Sequence, residues 1–329
     1  MKRSASARGG EPALVEWLQR AADPGIGDDA AVLDLGGEWT VTVDAQHEGT
    51  HLPSGLDPAL AARRLLAVNL SDVAAMGGRP RHAFLSLGAP AGYDRRRFLQ
   101  GLIDGGARSG LLLSGGDNSR HPALSATLTV LASRPPRGRW LLRSSARPGD
   151  GLWVGGTLGE AALGLALLGH VVLPDRGLPV APPLPASLRR AARRALRRHL
   201  QPEPQLELGL ALGRRARVAC IDCSDGLGLD LGRLCAASGV GAEVEVARLP
   251  TAHPALAARL QLDPVELALG SGEDYVLVFT LPSGAHPPAQ AGVRRVGRIV
   301  EAPGVVAVGV GGERLDIARR GYDHLAGDG

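Results

Sequence analysis

The sequence is poor in lysine, cysteine and aromatic residues, and each shortage excludes a class of protein. Lys2 is the lone lysine, so no Gly-x-x-x-x-Gly-Lys-Ser/Thr loop exists, and arginine and metal must balance any bound phosphate. Three cysteines are too few for a disulfide framework, which predicts a reducing, cytoplasmic location. Aromatic residues make up 3% of the chain, so leucine, valine and alanine must build the core.

Signals for export, membrane insertion and nucleic-acid binding are also missing. The basic residues near the N-terminus are not followed by the apolar stretch of a signal peptide. No apolar run approaches the length of a membrane span. The net charge of +4 is small for 329 residues, so we expect neither a nucleic-acid nor a membrane partner. The arginine-rich run from Arg189 to Arg198 is interpreted as a solvated helix, with a polyanion contact as the alternative.

The pattern of apolar runs predicts a two-domain α/β or α+β protein. Strands and helices alternate in both halves without a strict βαβ rhythm, and the chain is too long for one typical core. A turn-rich stretch marks the boundary between predicted domains 1–138 and 148–329. A strand from Trp39 is expected to end at Asp44, and residues 115–117 are expected to form a turn after a short strand.

Aspartates recur beside glycine or apolar runs, where a solvated surface acid is not expected. Two carboxylates about 4 Å apart repel by roughly 4 kcal/mol at an effective dielectric constant near 20. A fold that gathers several must therefore protonate some of them or bind cations. Hard carboxylate oxygens suit magnesium, which proteins often hold together with substrate phosphates. The pattern predicts a magnesium–polyphosphate site built from Asp28, Asp29, Asp44, Asp72, Asp117, Asp222 and Asp225.

Two motifs resemble known sites but fit them poorly. Residues 25–30 match Gly-x-Gly-x-x-Ala, yet Pro24 precedes them where a dinucleotide-binding fold needs a strand. Cys220 and Cys223 spell Cys-x-x-Cys, but Cys220 lies in a predicted strand rather than at a helix N-terminus. The two thiols should therefore point to opposite faces and serve core packing.

Two further segments leave a structural and a functional interpretation open. Asp222 lies at the end of a buried strand, where a metal or phosphate role is favoured, while Ser224 or Asp225 could cap the following helix. Residues 271–275 are either an acidic turn or a ligand contact. His51, a loop histidine, could touch a phosphate or play no role.

Six motifs in the same order and spacing resemble the thiamine-monophosphate kinase family, part of an ATP-binding superfamily that includes aminoimidazole ribonucleotide synthetase and selenophosphate synthetase. The resemblance runs from Gly25 to Tyr322. The motifs are Gly-Ile-Gly-Asp-Asp-Ala-Ala at 25–31, Ala-Val-Asn-Leu-Ser-Asp-Val-Ala-Ala-Met-Gly at 67–77, Gly-Gly-Asp at 115–117, Arg-Ser-Ser-Ala-Arg-Pro-Gly-Asp at 143–150, Asp-Cys-Ser-Asp-Gly-Leu at 222–227 and Ser-Gly-Glu-Asp-Tyr at 271–275.

The resemblance implies an N-terminal α/β domain whose strands complete a dimeric barrel with a second subunit, plus a C-terminal α/β domain. It implies direct transfer of the γ-phosphoryl group of ATP to thiamine monophosphate, with no covalent nucleophile on the protein. The implied magnesium ligands are Asp29, Thr42, Asp44, Asp72, Asp117, Asp222 and Asp225. The implied ATP contacts are Gly116, Asp117, Arg143 and Ser224, and the implied substrate contacts are His51, Glu273 and Arg319.

The sequence departs from the family pattern at Val43, where a hydroxyl residue is usual, at Leu52, and at Arg319, where the family has an aromatic residue. Two alternatives therefore stay open. One is another ATP-dependent enzyme of the superfamily. Selenophosphate synthetase would need a reactive cysteine in an N-terminal glycine-rich loop, but no cysteine precedes Cys220. The other is a nucleotide-binding relative without turnover.

Overall fold

The computed structural model describes residues 17, 20–21, 35–168, 184–290 and 292–322. It divides into two compact units, each described by itself. Unit 1 consists of Met1–Leu70, Arg79–Ser133 and Asp175–Gly177, and unit 2 consists of Ser71–Gly78, Arg134–Pro174 and Leu178–Gly329. The domain boundaries proposed from the sequence stay a prediction.

Unit 1 is built around a four-stranded sheet with the order β1-β4-β2-β3. The strands β2 and β3 are parallel, and β4 is antiparallel to both β1 and β2. The helix α1 begins in unit 1 and its last residues, from Ser71, belong to unit 2. The elements are β1 (Trp39–His47), α1 (Pro58–Ala75), β2 (Arg79–Ala89), α2 (Arg95–Ser109), β3 (Leu112–Arg120) and β4 (Ser125–Ser133).

The two faces of the unit 1 sheet differ in burial. Along β4 the residues at 126, 128, 130 and 132 are buried, and their neighbours in sequence are half-buried. The antiparallel register with β4 places Val41 and Val43 of β1 on the second face. Their side chains are 62% and 57% exposed. Unit 1 therefore has one packed face and one open apolar face at its β1 edge.

Unit 2 contains a seven-stranded sheet with the order β11-β10-β7-β9-β5-β8-β6. Only β7 and β10 run parallel among the described pairs. The elements are β5 (Gly151–Val154), α3 (Glu160–Leu168), α4 (Ala186–Leu200), α5 (Leu206–Leu212), β6 (Cys220–Asp222), α6 (Leu227–Ser238), β7 (Gly241–Glu245), α7 (Pro254–Arg259), α8 (Pro264–Gly270), β8 (Leu277–Leu281), β9 (Arg294–Val300), β10 (Gly304–Val308) and β11 (Arg314–Asp316).

Apolar residues cover both faces of the unit 2 sheet. Successive residues of β6 and β8 alternate between two separate hydrophobic clusters, as the two-residue period of a strand requires. Cys220 belongs to one cluster and Cys223 to the other, and both are free and buried. The predicted packing role of the two cysteines on opposite faces is confirmed.

The mixed α/β class is confirmed, and two local predictions in unit 1 are wrong. β1 does not end at Asp44 but continues to His47, because all nine of its residues pair with β4. Residues 115–117 do not form a turn but lie within β3. Pairing with β2 overrides their turn preference, and a Cβ at Gly116 would overlap the Leu85 carbonyl oxygen.

The described part of unit 1 is an open sheet rather than a closed barrel. In the described chain, helices are either too short or too polar to cross a membrane. The amphipathic pattern from Leu14 to Ala22 predicts a helix, and the proline-rich stretch 171–186 predicts a surface loop. Both segments fall largely outside the described residues. Residues 25–31, including Asp28 and Asp29, lie outside them entirely.

Candidate functional site

The candidate site in unit 2 begins with the aspartate loop, which we define as residues 222–226, between β6 and α6. Asp222 is the last residue of β6 and is only 4% exposed. Ser71, which is fully buried near the end of α1, donates a hydrogen bond to Asp222 Oδ2 at 2.7 Å. Asp72 follows Ser71 directly and is half-buried. One hydrogen bond therefore connects the helix carrying Asp72 to the carboxylate of Asp222.

A second segment, the acidic loop of residues 271–275, runs beside the aspartate loop. The Glu273 amide donates to the Ser224 carbonyl oxygen at 2.7 Å, and the Tyr275 amide donates to the Cys223 carbonyl oxygen at 2.9 Å. A Cβ at Gly272 would overlap the carbonyl oxygen of Ser224. The backbone of the predicted metal-binding and ATP-binding loop thus pairs directly with the loop predicted to bind the substrate.

The side chain of Glu273 has defined partners. Tyr275 Oη donates a hydrogen bond to Glu273 Oε1 at 2.9 Å. His199 Nδ1 lies 3.9 Å from Glu273 Oε2, which is too far for a hydrogen bond. The motifs predicted Glu273 as a substrate contact and did not single out Tyr275 or His199. The tyrosine that ends the acidic motif was the available signal.

Asp274, the next residue, anchors the acidic loop to α3. It is buried, and its carboxylate accepts hydrogen bonds from the amides of Gly159 at 2.5 Å and Ala161 at 3.0 Å. Burial raises the pKa of Asp274 to about 7, although the two backbone donors oppose the shift. Asp274 therefore fixes the position of the acidic loop and does not face solvent.

A third segment of unit 2 reaches the aspartate loop from the C-terminal side. The Tyr322 amide donates to the Asp225 carbonyl oxygen at 2.8 Å, and the Leu229 amide donates to the Arg320 carbonyl oxygen at 2.9 Å. Arg319 lies on this segment and is exposed. The unit therefore brings the segment carrying Arg319 against the loop that carries Ser224 and Asp225.

The start of α6 is not capped by Ser224 or Asp225. Its N-cap residue is Gly226, and Asp230 reaches back to accept hydrogen bonds from the amides of Asp225 and Gly226. Burial raises the pKa of Asp230 to about 6. Arg233 lies 2.5 Å from the Asp225 carboxylate and 2.8 Å from that of Asp230. The charge of Asp225 is thus partly balanced by an arginine.

Arg143 lies in a 3-10 turn of unit 2 and its side chain is exposed. The hydroxyl of Ser238, at the end of α6, donates to the Arg143 carbonyl oxygen at 2.6 Å. The turn is therefore fixed to the helix that begins at the aspartate loop, and Arg143 itself stays exposed.

In unit 1, Thr42 and Asp44 lie on β1 and Gly116 and Asp117 lie on β3. The Asp44 amide donates to Asn69 Oδ1 on α1 at 3.2 Å. Three strand spacings separate β1 from β3, which is about 14 Å. One magnesium ion, with oxygen ligands near 2.1 Å, therefore cannot contact both aspartates.

The strand register turns these two aspartates to different faces. Asp44 pairs with Leu128, which pairs with Leu85, so that Asp44 shares the face of these two buried residues. Asp117 pairs with the exposed Ser86 and lies on the opposite face. The structure thus places Asp44 and Asp117 in the same sheet but does not bring their carboxylates together.

The remaining unit 1 candidate is His51. Its Nδ1 atom accepts a hydrogen bond from the His47 amide at 3.2 Å, and the two imidazole rings have centroids 5.6 Å apart. This contact folds the segment after β1 into a tight turn that fixes the His51 ring.

The donor chemistry of the candidate residues fits magnesium. The carboxylates of Asp72 and Asp222 offer only oxygen ligands, which magnesium prefers. Within the described ranges no group of three or more histidine, cysteine, aspartate or glutamate residues could hold a metal ion by itself. An ion at these residues would therefore take further oxygen ligands from phosphates and water.

The comparisons with known proteins agree with this fold and chemistry. Residues 27–133 match the family described as AIR synthase related protein, N-terminal domain, which defines the class of the first part of the chain. The thiamine-monophosphate kinase of Escherichia coli strain K12 is 36% identical over 314 residues, covering 92% of both chains. The chain belongs to the thiamine-monophosphate kinase family, as the motifs predicted.

Two solved structures share the fold across nearly the whole chain. The thiamine-monophosphate kinase of Stenotrophomonas maltophilia K279a has a TM-score of 0.76 at 34% identity, covering 91% of this chain and 96% of that one. The structure of AaThiL complexed with AMPPCP and TMP has a TM-score of 0.76 at 27% identity, covering 98% and 100%.

Proposed function

We propose that this protein transfers the γ-phosphoryl group of ATP to thiamine monophosphate, giving thiamine diphosphate and ADP. The observation that carries the proposal is the backbone pairing of the aspartate loop with the acidic loop, because one is assigned to nucleotide and metal and the other to substrate. The relative complexed with AMPPCP and TMP supports the same pair of reactants.

The proposed reaction is a direct in-line displacement. A phosphate oxygen of thiamine monophosphate attacks the γ-phosphorus, and the bond from that phosphorus to the oxygen bridging the β- and γ-phosphates breaks as ADP leaves. A loose transition state of this kind needs positioning and charge neutralisation more than a strong base. No residue of the chain is therefore assigned as a covalent nucleophile.

Several magnesium ions are part of the proposal. When bound, they neutralise the phosphate oxygens and hold the two anionic reactants in place. In unit 2 we assign Asp72, Asp222 and Asp225 as ligands, and the Ser71 hydroxyl orients Asp222 toward this role. In unit 1, where Thr42 is assigned with the aspartates, the separation of β1 and β3 supports more than one ion. The assigned ligands are Asp29, Thr42, Asp44, Asp72, Asp117, Asp222 and Asp225.

The remaining assignments concern the two substrates. Arg143, Ser224 and Gly116, together with Asp117, are proposed to contact ATP. His51, Glu273 and Arg319 are proposed to contact thiamine monophosphate. Support comes from the exposed guanidinium of Arg143 and from the fixed positions of Ser224 and Glu273 in the paired loops.

The domain boundaries of 1–138 and 148–329, and a homodimer, belong to the same proposal. The exposed side chains of Val41 and Val43 at the β1 edge support a second copy as the partner, because an open apolar strand is a ready surface for association. We propose that the unit 1 sheets of two copies form the dimeric barrel.

The test is product formation from ATP, magnesium and thiamine monophosphate, followed by chromatography of thiamine diphosphate. We expect product with the wild-type protein and none with Asp72→Asn, which keeps the shape of the side chain but removes its charge. Asp104→Asn on α2 is the matched control, because Asp104 is exposed and bonded to Gln100.

Two outcomes would contradict the assignment. ATP binding by the wild-type protein without product would favour a relative that lacks turnover. Near-normal activity of Asp72→Asn would remove that residue from the metal site.

A further inference from the structure

We propose that Tyr275 and His199 are positioning residues that hold the Glu273 carboxylate against the positively charged ring system of thiamine rather than against its phosphate. The inference rests on the proposed function, and it assigns roles to two side chains that the motifs did not single out. Each step depends on contacts within unit 2.

A tyrosine hydroxyl fixes one oxygen of the Glu273 carboxylate, and a buried imidazole lies near the other. Tyr275 Oη donates to Oε1 at 2.9 Å, and His199 Nδ1 lies 3.9 Å from Oε2. The side chain of Glu273 is nevertheless 32% exposed. A carboxylate that is fixed in direction and still reachable from solvent has the properties of a ligand-binding group.

The backbone of the acidic loop has a strained conformation at two residues. Glu273 has φ of +66° and Tyr275 has φ of +50°, both in the left-handed region that non-glycine residues rarely adopt. Such strain persists only where surrounding contacts determine the conformation, and it concentrates at ligand-binding sites. Here the hydrogen bonds from Glu273 to Ser224 and from Tyr275 to Cys223 impose it.

His199 is fixed by the packing of α4 against α3. It is 4% exposed. A Cβ at Gly164 would overlap the Ala195 carbonyl oxygen and lie 2.8 Å from the His199 Cβ, so only glycine permits this approach of the two helices. An ion pair of 2.6 Å between Arg194 and Glu160 also connects them. The imidazole therefore approaches Glu273 from a rigid support.

The charge of Glu273 selects the part of the substrate that it contacts. A carboxylate repels a phosphate group and attracts a cation. Thiamine monophosphate carries both charges, on the phosphate and on the thiazolium ring. Glu273 in this orientation therefore recognises the ring.

The experiment measures the dissociation constants of unphosphorylated thiamine and of inorganic phosphate by titration calorimetry, which needs no turnover. We expect Tyr275→Phe to weaken thiamine binding about tenfold, the scale of one hydrogen bond to a charged group. Phosphate binding should change less than about twofold. His199→Gln should weaken thiamine binding by a smaller factor in the same direction.

The matched controls remove a tyrosine hydroxyl and a histidine imidazole at positions other than Tyr275 and His199. Tyr93→Phe takes a hydroxyl from a tyrosine whose Oη makes no hydrogen bond in the described structure, and His286→Gln replaces an exposed histidine. Both should bind thiamine as the wild-type protein does.

Glu273→Gln provides the same test if Tyr275→Phe, a change at a buried residue, does not fold. It should lose thiamine affinity at least as much as Tyr275→Phe, and the double variant should lose no more than Glu273→Gln alone, because the hydroxyl acts through the carboxylate.

Unchanged thiamine binding in Tyr275→Phe and Glu273→Gln, or weaker phosphate binding in place of weaker thiamine binding, would overturn the inference. Failure of the proposed function would appear separately, as absence of thiamine diphosphate from the wild-type protein.

Discussion

The two units place their acidic residues in different ways. In unit 2 the aspartate loop and the acidic loop are paired by backbone hydrogen bonds, so that Asp222, Ser224 and Glu273 have fixed relative positions. In unit 1 Asp44 and Asp117 lie on strands about 14 Å apart. Paired loops can therefore define a site at close range, whereas strands of one sheet hold their acids far apart, and several ions or an extended ligand are needed to use them together.

The largest effect is expected from a substitution that separates the aspartate loop from the acidic loop. Gly272→Ala places a Cβ on the Ser224 carbonyl oxygen and should push the loops apart. We expect kcat/KM to fall by about 100-fold, which is the cost of a displacement of about 1 Å in a reacting geometry. Steady-state kinetics with both substrates would measure it.

Gly270→Ala is the matched control for this prediction. A Cβ there would meet the Arg320 Cβ at 3.7 Å, an ordinary contact distance. Its activity should stay within about threefold of wild type. Equal activities in the two glycine variants would mean that the pairing of the loops does not matter for turnover.

A smaller effect, on the pH dependence of the free energy of unfolding, is expected from the buried carboxyl of Asp274 in unit 2. Burial raises its pKa from 3.8 to about 7. Between these values the folded protein binds more protons than the unfolded chain, so the free energy of unfolding decreases as the pH rises. The contribution from pH 5 to pH 7 is about 2 kcal/mol.

Asp274→Asn cannot ionise, so its unfolding free energy should depend less on pH over this range. Urea denaturation at a series of pH values would measure the difference. A variant with the same slope as wild type would show that Asp274 ionises at its ordinary pKa in the folded protein.

The smallest expected effect concerns the open face of unit 1. Val43→Arg adds a charge to an apolar side chain that is 57% exposed at the β1 edge. If this edge joins a second copy, the dissociation constant of the dimer should rise at least about tenfold, because a charge would be buried. Analytical ultracentrifugation would measure it.

Val310→Arg in unit 2 is the control, since that valine is 87% exposed in a turn after β10. Its association should equal that of the wild-type protein. A monomer at all concentrations, or equal behaviour of both variants, would count against a dimer formed through β1.

Much of the local structure around the candidate site in unit 2 could be predicted from the sequence, because its signals are local. The apolar run before Asp222 predicted a buried strand ending there, as observed for β6. The small and apolar residues from Ala59 to Met76, ended by Gly77-Gly78 and Pro80, predict one long helix, and the structure has α1 at Pro58–Ala75. Long apolar patterns of this kind determine an element whatever it packs against.

Contacts between distant segments could not be predicted in the same way. Nothing near His199 in the sequence indicates that α4 brings it to Glu273, and the end of β1 was misplaced because its length depends on β4. The helices α7 and α8 were not predicted, since each is only six or seven residues long. A single sequence does not encode these partners as a local pattern.

The most direct test of the central claim, that the paired loops of unit 2 serve one phosphoryl transfer, follows the γ-phosphoryl group of labelled ATP. With the wild-type protein the label should appear in the terminal phosphate of thiamine diphosphate, and Asp222→Asn and Glu273→Gln should each strongly reduce that transfer. Label found only in inorganic phosphate, or undiminished transfer by both variants, would contradict the account.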